Sequence, residues 1–441
     1  MCGIVGGVSN KNIIPLLLEG LNLLEYRGYD SSGLIVLSDK NTFNRARSVG
    51  RVKNLEDNLK LRKHLISGNI GIAHTRWATH GEPANHNAHP HVSKNMVSVV
   101  HNGIIENYLE LKNNQLAKGY NFTSETDTEV IAHAIDFAMK SCDDLLSSVQ
   151  KALKSLKGSY GLGIISTKFP SQIIAARKGS PLVIGIGKNG NYIASVQMAL
   201  LPVTKKFIFL EDGDIAEINI KKITIYDKDG KVTNRPIKIS TLKAGQMTKG
   251  PYDHFMQKEI FEQPQAIRDT LESRITNDSV VISSFGSDAQ KIFSKVKQIQ
   301  IIACGTSFNA GIVAKYWLED IAKIPCNVEV ASEYRYRRPI LLDATLFITL
   351  SQSGETADTL EALNNAKKIN NQINTLCITN SSESSISRIS DLTFLTHAGP
   401  EIGVASTKAF STQLVALALL TCSIGSIKGS ISEIQEKEIV D

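Results

Sequence analysis

Met1-Cys2-Gly3-Ile4-Val5-Gly6-Gly7-Val8 opens the chain. Removal of Met1 would make Cys2 the terminal residue and set its thiol beside a free α-amino group. Such an amine, with an ordinary pKa of about 7.7–8.0, suits the task of a general base near neutral pH. Gly3 and the apolar Ile4-Val5 read as a strand that holds this terminus rigidly inside a sheet. The plainer alternative is a small buried residue that happens to follow the start methionine. A thiol becomes a credible nucleophile only with activating surroundings.

Three other stretches supply candidate surroundings. Asn102-Gly103, expected as a turn just after the strand Met96–Val100, offers a side-chain amide and an unhindered backbone N–H to a developing oxyanion. Arg76, at a strand end in Ala73-His74-Thr75-Arg76-Trp77-Ala78-Thr79-His80, can clamp the carboxylate of an amino-acid substrate with its planar fork. Asp127, at the start of a helix expected over Thr126–Met139, can receive an α-ammonium group. Each has an ordinary counterpart, since Asn-Gly is a common hairpin turn and Asp127 can simply complement a helix dipole. Their combination with a Met-Cys-Gly start singles them out.

Working outward, the first half is rich in short apolar runs bounded by Gly, Asn, Asp and Ser: Leu34–Leu37, Ile70–Ala73, Leu162–Ile165, Ile173–Ala176, Phe207–Leu210 and Ile215–Ile220. Helical spacing of Ile13, Leu17, Leu21 and Leu24 is closed by Arg27-Gly28. Thr126-Asp127-Thr128-Glu129 reads as a capping box, and a further helix is expected from Asp144 to Leu156. Grouped strands and helices predict an α+β layered domain over residues 2–225. A polar linker is expected over 226–255. From 256 to 441 strand and helix alternate, which predicts a parallel sheet with helices on both faces.

Composition excludes several classes. Lys+Arg of 49 against Asp+Glu of 43 leaves a net charge of +6 with no dense basic block, so no nucleic-acid partner is expected. The six cysteines form no C-x-x-C pair, and Cys304 and Cys377 sit in apolar runs that read as buried thiols. The start has no basic flank before an apolar stretch, so no signal peptide is expected. Leu414–Ile424 is too short for a membrane span and contains Thr421 and Ser423. These features predict a cytoplasmic protein without a membrane partner. His86-x-x-His89-Pro90-His91 raises the thought of zinc, but Pro90 breaks helical spacing and no cysteine completes a set. Histidines bonded within loops, and no metal, are expected.

In the second half, Ile301-Ile302-Ala303-Cys304-Gly305-Thr306-Ser307 and Ser351-Gln352-Ser353-Gly354-Glu355-Thr356 share one design. An apolar strand runs into a turn of hydroxyl residues and Gly, and a helix follows. Helix N-termini with added hydroxyl donors suit a phosphate, though such turns are also ordinary N-caps. No Gly-x-x-x-x-Gly-Lys-Ser/Thr occurs, which argues against nucleoside triphosphates.

The blocks beginning Met1-Cys2-Gly3, Leu24-Glu25-Tyr26-Arg27-Gly28, His74-Thr75-Arg76, His101-Asn102-Gly103 and Ser124-Glu125-Thr126-Asp127 resemble those of the class II glutamine amidotransferases. With Cys304–Ser307, Ser351–Thr356 and Gly403-Val404-Ala405-Ser406, the resemblance is to the glutamine–fructose-6-phosphate aminotransferase family, also called glucosamine-6-phosphate synthases. It implies an N-terminal-nucleophile glutaminase of layered α/β/β/α form, followed by a flavodoxin-like sugar isomerase domain. It implies Cys2 as nucleophile, Asn102 and Gly103 as oxyanion hole, and Arg76, Thr79, His80 and Asp127 around glutamine, with Trp77 as gate. It further implies Ser307, Ser351, Gln352, Ser353 and Thr356 on the phosphate of fructose-6-phosphate, with Cys304, Thr306, Val404 and Ser406 lining the sugar. No cofactor is implied, and the partner is a second copy, bound through the sugar isomerase region. Two departures accompany the match. The family carries an acidic residue where Val196 stands. The chain also stops at Asp441, after one sugar isomerase unit where the family has two. Readings that remain are the full synthase, a glutaminase alone, and a non-catalytic sugar-phosphate sensor.

Overall fold

The structure, a computed structural model, describes residues 2–61, 66–240 and 249–441. It divides into two compact units, Met1–Met247 and Thr248–Asp441.

In the first unit the apolar strands form two sheets. The eight-stranded sheet runs in the order Ile237–Ile239, Lys206–Phe209, Val183–Ile186, Gly190–Ala194, Gly3–Ser9, Ile70–Arg76, Ser31–Leu37, Phe43–Val49. The seven-stranded sheet runs Val232–Thr233, Ile223–Tyr226, Ile215–Asn219, Gln172–Lys178, Gly158–Ser166, Val97–Ile105, His91–Ser93. Side chains alternate between the faces of a strand, so each strand serves two layers. Ile173 and Ala175 join Ile4, Ile72 and Val100 in the core between the sheets. Ile174 and Ala176 face the other way, packing with Val130, Ile131 and Val149 of the helices Glu129–Ala138 and Leu145–Leu153. Beyond the eight-stranded sheet lies the helix Ile14–Leu24, whose Leu17, Leu21 and Leu24 are fully buried. Each contributes roughly 1.5–3 kcal/mol. The result is an α+β layered domain, as the grouped strands and helices predict, in the α/β/β/α order that the family resemblance implies.

Three local expectations are corrected. The helix expected from Thr126 begins at Glu129, and Thr128 at its N-cap makes no side-chain cap bond. The box fails because both partners are engaged elsewhere. The Thr126 hydroxyl lies 3.1 Å from His91 Nε2, and the buried Glu129 carboxylate accepts from the Thr123 and Ser124 N–H groups. Asn102 and Gly103 belong to the strand Val97–Ile105 rather than to a turn, paired with Gly161 and Tyr160. Gly103 has φ +135°, and an added Cβ would stand 2.1 Å from the Ser159 carbonyl oxygen, so only glycine fits this crossing.

The expected linker also shortens. Val232-Thr233 pairs with Ile225 and Tyr226, and Ile237–Ile239 pairs with Lys206–Ile208. All three residues of the last strand are exposed, so no core pattern announces it. Residues 241–248 of the expected linker lie outside the described residues, and the next helix is Phe255–Leu271.

The second unit is a five-stranded, all-parallel sheet. Its strands in chain order are Gln298–Ala303, Cys326–Val330, Thr345–Ser351, Asn374–Thr379 and Leu392–Leu395. In space they run second, first, third, fourth, fifth, the flavodoxin-like order. Cys326–Val330 escapes the sequence pattern because, as an edge strand, it is only half buried. The helix Lys408–Lys428 is long and apolar enough to cross a membrane. In this fold its Ala416, Leu417, Leu420 and Ile424 form part of the domain core, with Thr421 and Ser423 bonded back to helix carbonyls.

Val196 occupies the N-cap of the short 3₁₀ helix Gln197–Leu200 in extended conformation and offers no side-chain acceptor. A carboxylate there can accept the first free N–H groups. Val196→Asp is therefore expected to stabilise the first unit by about 0.5–1 kcal/mol. A raised chemical-denaturation midpoint checks this, and an unchanged or lowered one rules it out.

Candidate active site

The strand Gly3–Ser9 lies inside the eight-stranded sheet, between Gly190–Ala194 and Ile70–Arg76. Gly3 pairs with Thr75, and the Ser195 N–H donates to the Ile4 carbonyl, so Cys2 emerges between Arg76 and Ser195. The Cys2 Sγ accepts from the Trp77 N–H at 3.3 Å, and its carbonyl accepts from Arg27 Nε at 3.0 Å. Burial pushes the Cys2 thiol up, against the lowering effect of the Trp77 backbone bond. Little thiolate stands ready, so a base has to take the proton as the sulfur attacks.

Asn102 reaches Cys2 from the other sheet. Its Nδ2 donates to the Cys2 carbonyl at 3.1 Å and to Ser195 Oγ at 2.8 Å. Arg76 uses its guanidinium on the carbonyls of the loop that follows it: Glu82 at 3.2 Å, Gly81 at 3.0 Å and His80. Asp30 holds the same loop by accepting the Ala78 N–H. Asp127 Oδ2 accepts from the Ile105 N–H at 2.7 Å. Thr79 and His80 lie side by side, with Thr79 Oγ1 3.3 Å from His80 Nδ1. Trp77 meets Tyr29 edge to face at 5.5 Å and is 43% exposed.

Cys2, Arg76, Trp77, Thr79, His80, Gly103 and Asp127 thus line one space of 20 Å³. That holds about one water molecule. In this arrangement the Arg76 fork is taken up by the carbonyls of residues 80–82. Asn102 stands just behind this space.

The histidines form a buried stack around the site. His74 and His89 rings lie 4.1 Å apart and nearly parallel, with His91 4.7 Å beyond. Burial lowers His89 and His91 well below the usual range and brings His74 to about 3. All three are therefore neutral. His101 Nδ1 contacts Thr128 Oγ1 at 2.9 Å. Among the described residues no group of three or more His, Cys, Asp or Glu side chains is placed to hold a metal ion.

In the second unit, Cys304 and Thr356 are the N-caps of the helices Gly305–Asp320 and Ala357–Ile369. Their strands are neighbours, with Ala303 beside Leu350, so the two helix N-termini flank the point where strand order reverses. Open α/β sheets bind ligands at this point. Neither cap makes a side-chain cap bond, whereas Ser384 and Ser432 do so at ordinary helix starts. Thr306 and Ser307 lie in the first turn of their helix. Ser351 Oγ and Thr356 Oγ1 are 2.9 Å apart, Ser351 Oγ accepts from the Gly354 N–H, and Ser353 Oγ accepts from the Glu355 N–H. The Gln352 carbonyl accepts from the Asn380 N–H. Val404 is exposed, and Ser406 Oγ donates to Glu401. Glu401 itself accepts from the Thr407 and Ala409 N–H groups, a capping role at the start of Lys408–Lys428. Cys304 is only partly buried, unlike the deep thiol expected, whereas Cys377 is buried.

Sequence reasoning missed Arg27, Asp30, Ser195 and Glu259. Arg27 is buried and Asp30 partly buried on either side of Gly28, and their bonds to Cys2 and to the loop after Arg76 are long-range contacts that no local pattern announces. Glu259 is buried on the helix Phe255–Leu271 and accepts the Gly403 N–H at 3.0 Å. Nothing in its local pattern separates it from a surface carboxylate.

Comparison with known proteins places the chain in a family. A glutamine amidotransferase domain model matches residues 74–202, and a SIS domain model matches residues 292–423. A glutamine–fructose-6-phosphate aminotransferase (isomerizing) of Pseudomonas putida is 53% identical over 441 residues, covering 100% of this chain and 72% of the relative. Its counterpart from Haemophilus influenzae is 52% identical over 440 residues, again 72% of that protein. A solved C-terminal domain of glucosamine-fructose-6-phosphate aminotransferase from Francisella tularensis is 50% identical, covering 43% of this chain and 53% of its own, with a TM-score of 0.42. The fold and the matches together define an amidotransferase of the N-terminal-nucleophile type joined to a SIS unit. The chain belongs to the glutamine–fructose-6-phosphate aminotransferase (isomerizing) family.

Proposed function

We propose that this protein transfers the amide nitrogen of glutamine to fructose-6-phosphate, yielding glucosamine-6-phosphate and glutamate. The convergence of Cys2, Arg76, Gly103 and Asp127 on one small space, from four separate segments and with Asn102 directly behind, carries the reading. Glutamine's carboxylate takes the Arg76 fork from the loop carbonyls, and its ammonium meets Asp127. The Cys2 sulfur, giving its proton to the terminal amine, adds to the side-chain carbonyl carbon. The oxyanion forms near Asn102 and Gly103. The C–N bond breaks, the proton leaves with ammonia, and water releases glutamate from the thioester. Ammonia then adds to the ketose carbonyl of fructose-6-phosphate, and water leaves to give an imine. A proton moves from the neighbouring terminal carbon to the imine carbon, which gives the amino aldose glucosamine-6-phosphate. The phosphate of that sugar rests on Ser307, Ser351, Gln352, Ser353 and Thr356, and Cys304, Thr306, Val404 and Ser406 lie along the sugar. The same reading carries a homodimer through the SIS region and a cytoplasmic location, and sedimentation equilibrium tests the first.

Ser351→Ala removes one donor to a dianion, a loss of roughly 1.5–3 kcal/mol or about 10- to 100-fold in affinity. The expected result is weaker fructose-6-phosphate binding by calorimetry with unchanged glutamine hydrolysis. Unchanged sugar-phosphate affinity would remove the phosphate from this turn.

A further inference from the structure

The strongest unassigned feature lies behind Cys2, in the buried contacts of His74. Its Nε2 is 3.0 Å from the His101 carbonyl oxygen and 3.0 Å from Asn102 Oδ1. A carbonyl can only accept, so Nε2 carries the proton. The Asn102 amide is orientated independently from its other end: the Cys2 carbonyl also only accepts, which sets Nδ2 on that side and Oδ1 toward His74. Ser195 Oγ completes the arrangement, accepting from Asn102 Nδ2 at 2.8 Å and from the Ile4 N–H at 2.8 Å. Each donor therefore faces an acceptor from His74 to the strand that carries Cys2.

We propose that His74 is a positioning residue for the amidotransfer reaction, its Nε2–H locking the Asn102 carboxamide with Nδ2 on the Cys2 side, from where one N–H can pass from the Cys2 carbonyl to the oxyanion. This rests on the assignment of Asn102 to the oxyanion hole. A side-chain amide can rotate by half a turn with little change of shape, and the flipped form would aim an oxygen at the developing oxyanion. His74 opposes that flip, because it would set Asn102 Nδ2 against the Nε2–H donor. The ring is kept in this role by its surroundings. It is buried against His89 and remains neutral at working pH, and among the described residues its Nδ1 finds no hydrogen-bond partner. Nearby, Glu25 accepts from the Val52 N–H, Arg27 Nε donates to the Cys2 carbonyl and Asp30 accepts from the Ala78 N–H.

The test compares two polar variants of similar size. His74→Gln can place an amide N–H near the position of Nε2, whereas His74→Asn stops short. His74→Asn is expected to lower the glutaminase kcat roughly 10- to 100-fold with KM for glutamine little changed. His74→Gln should recover most of that loss, and circular dichroism should report native folding for both. In the double variant with Asn102→Ala, the His74→Asn change should add almost nothing, since residues acting as a unit are non-additive. Full activity in His74→Asn, or additive losses, overturns the positioning role while leaving Asn102 intact. Wild-type activity in Asn102→Ala alone overturns instead the oxyanion assignment beneath it. If His74→Asn does not fold, the cycle is run with His74→Ala, which also lacks the donor and whose additivity with Asn102→Ala decides the same question.

Discussion

Cys2→Ala abolishes glutamine hydrolysis, lowering kcat on the order of 10⁴-fold or more, while the protein keeps its fold. Loss of a nucleophile is among the largest single-residue effects in hydrolytic enzymes, and what remains is the work of binding and oxyanion donors. The fold survives because the bonds that tie down Cys2 use its backbone: Arg27 Nε and Asn102 Nδ2 both donate to its carbonyl. The substitution removes only the sulfur and its contacts with the Trp77 N–H and carbonyl. Retention of Met1 is expected to have nearly the same effect by removing the free amine beside the thiol. The pH dependence follows from the thiol. Burial holds it above its ordinary value, so the amine must accept its proton during attack. Activity should fall as pH drops below about 7.7–8.0, where the amine is protonated. A glutamine-like electrophile should label Cys2 and spare the other five cysteines, which mass spectrometry of the labelled peptide decides. Near-normal hydrolysis by Cys2→Ala would end the assignment.

Asn102→Ala lowers turnover roughly 10²–10³-fold, the usual effect of deleting one oxyanion donor. The same change removes the bridge from Ser195 and His74 to the Cys2 carbonyl, so its effect belongs to kcat. Arg76→Lys behaves differently. It keeps the charge but loses the planar fork, which here spans the carbonyls of residues 80–82 and would span a carboxylate in their place. Its main expected effect is a raised KM for glutamine. The opposite split, turnover lost in Arg76→Lys and kept in Asn102→Ala, would falsify the two roles. Steady-state kinetics of glutamate release distinguishes them directly.

Much of the site was legible because its parts sit in compact local blocks. The Cys2 strand, Arg76 at a strand end and the hydroxyl-rich turn at 351–356 appear where their sequence patterns put them, whereas at 304–307 the helix already begins at Gly305. Other readings failed where a local pattern had a stronger partner elsewhere. The Thr126–Glu129 box yielded to His91 and to the loop at 123–124, and the Asn-Gly pair became strand because its neighbour was Gly158–Ser166. Glu401 illustrates the same competition from the other side. A carboxylate before a loop is more often a surface or capping residue than a catalyst, and the bonds from Thr407 and Ala409 make Glu401 a cap.

The sequence by itself determined which chemical groups exist and the period of the segments that carry them: a thiol next to the start, an amide followed by glycine, a guanidinium closing a strand. Those follow from residue identity and short-range geometry, which the chain encodes directly. Only the tertiary structure decided who bonds to whom. Asn102 faces Cys2 and Ser195 across gaps of 100 and 93 residues, because two sheets bury their inner faces against one another and bring both ends together. Hydrogen-bond partners over such distances are set by packing, since each buried donor must find an acceptor among whatever groups the core brings near.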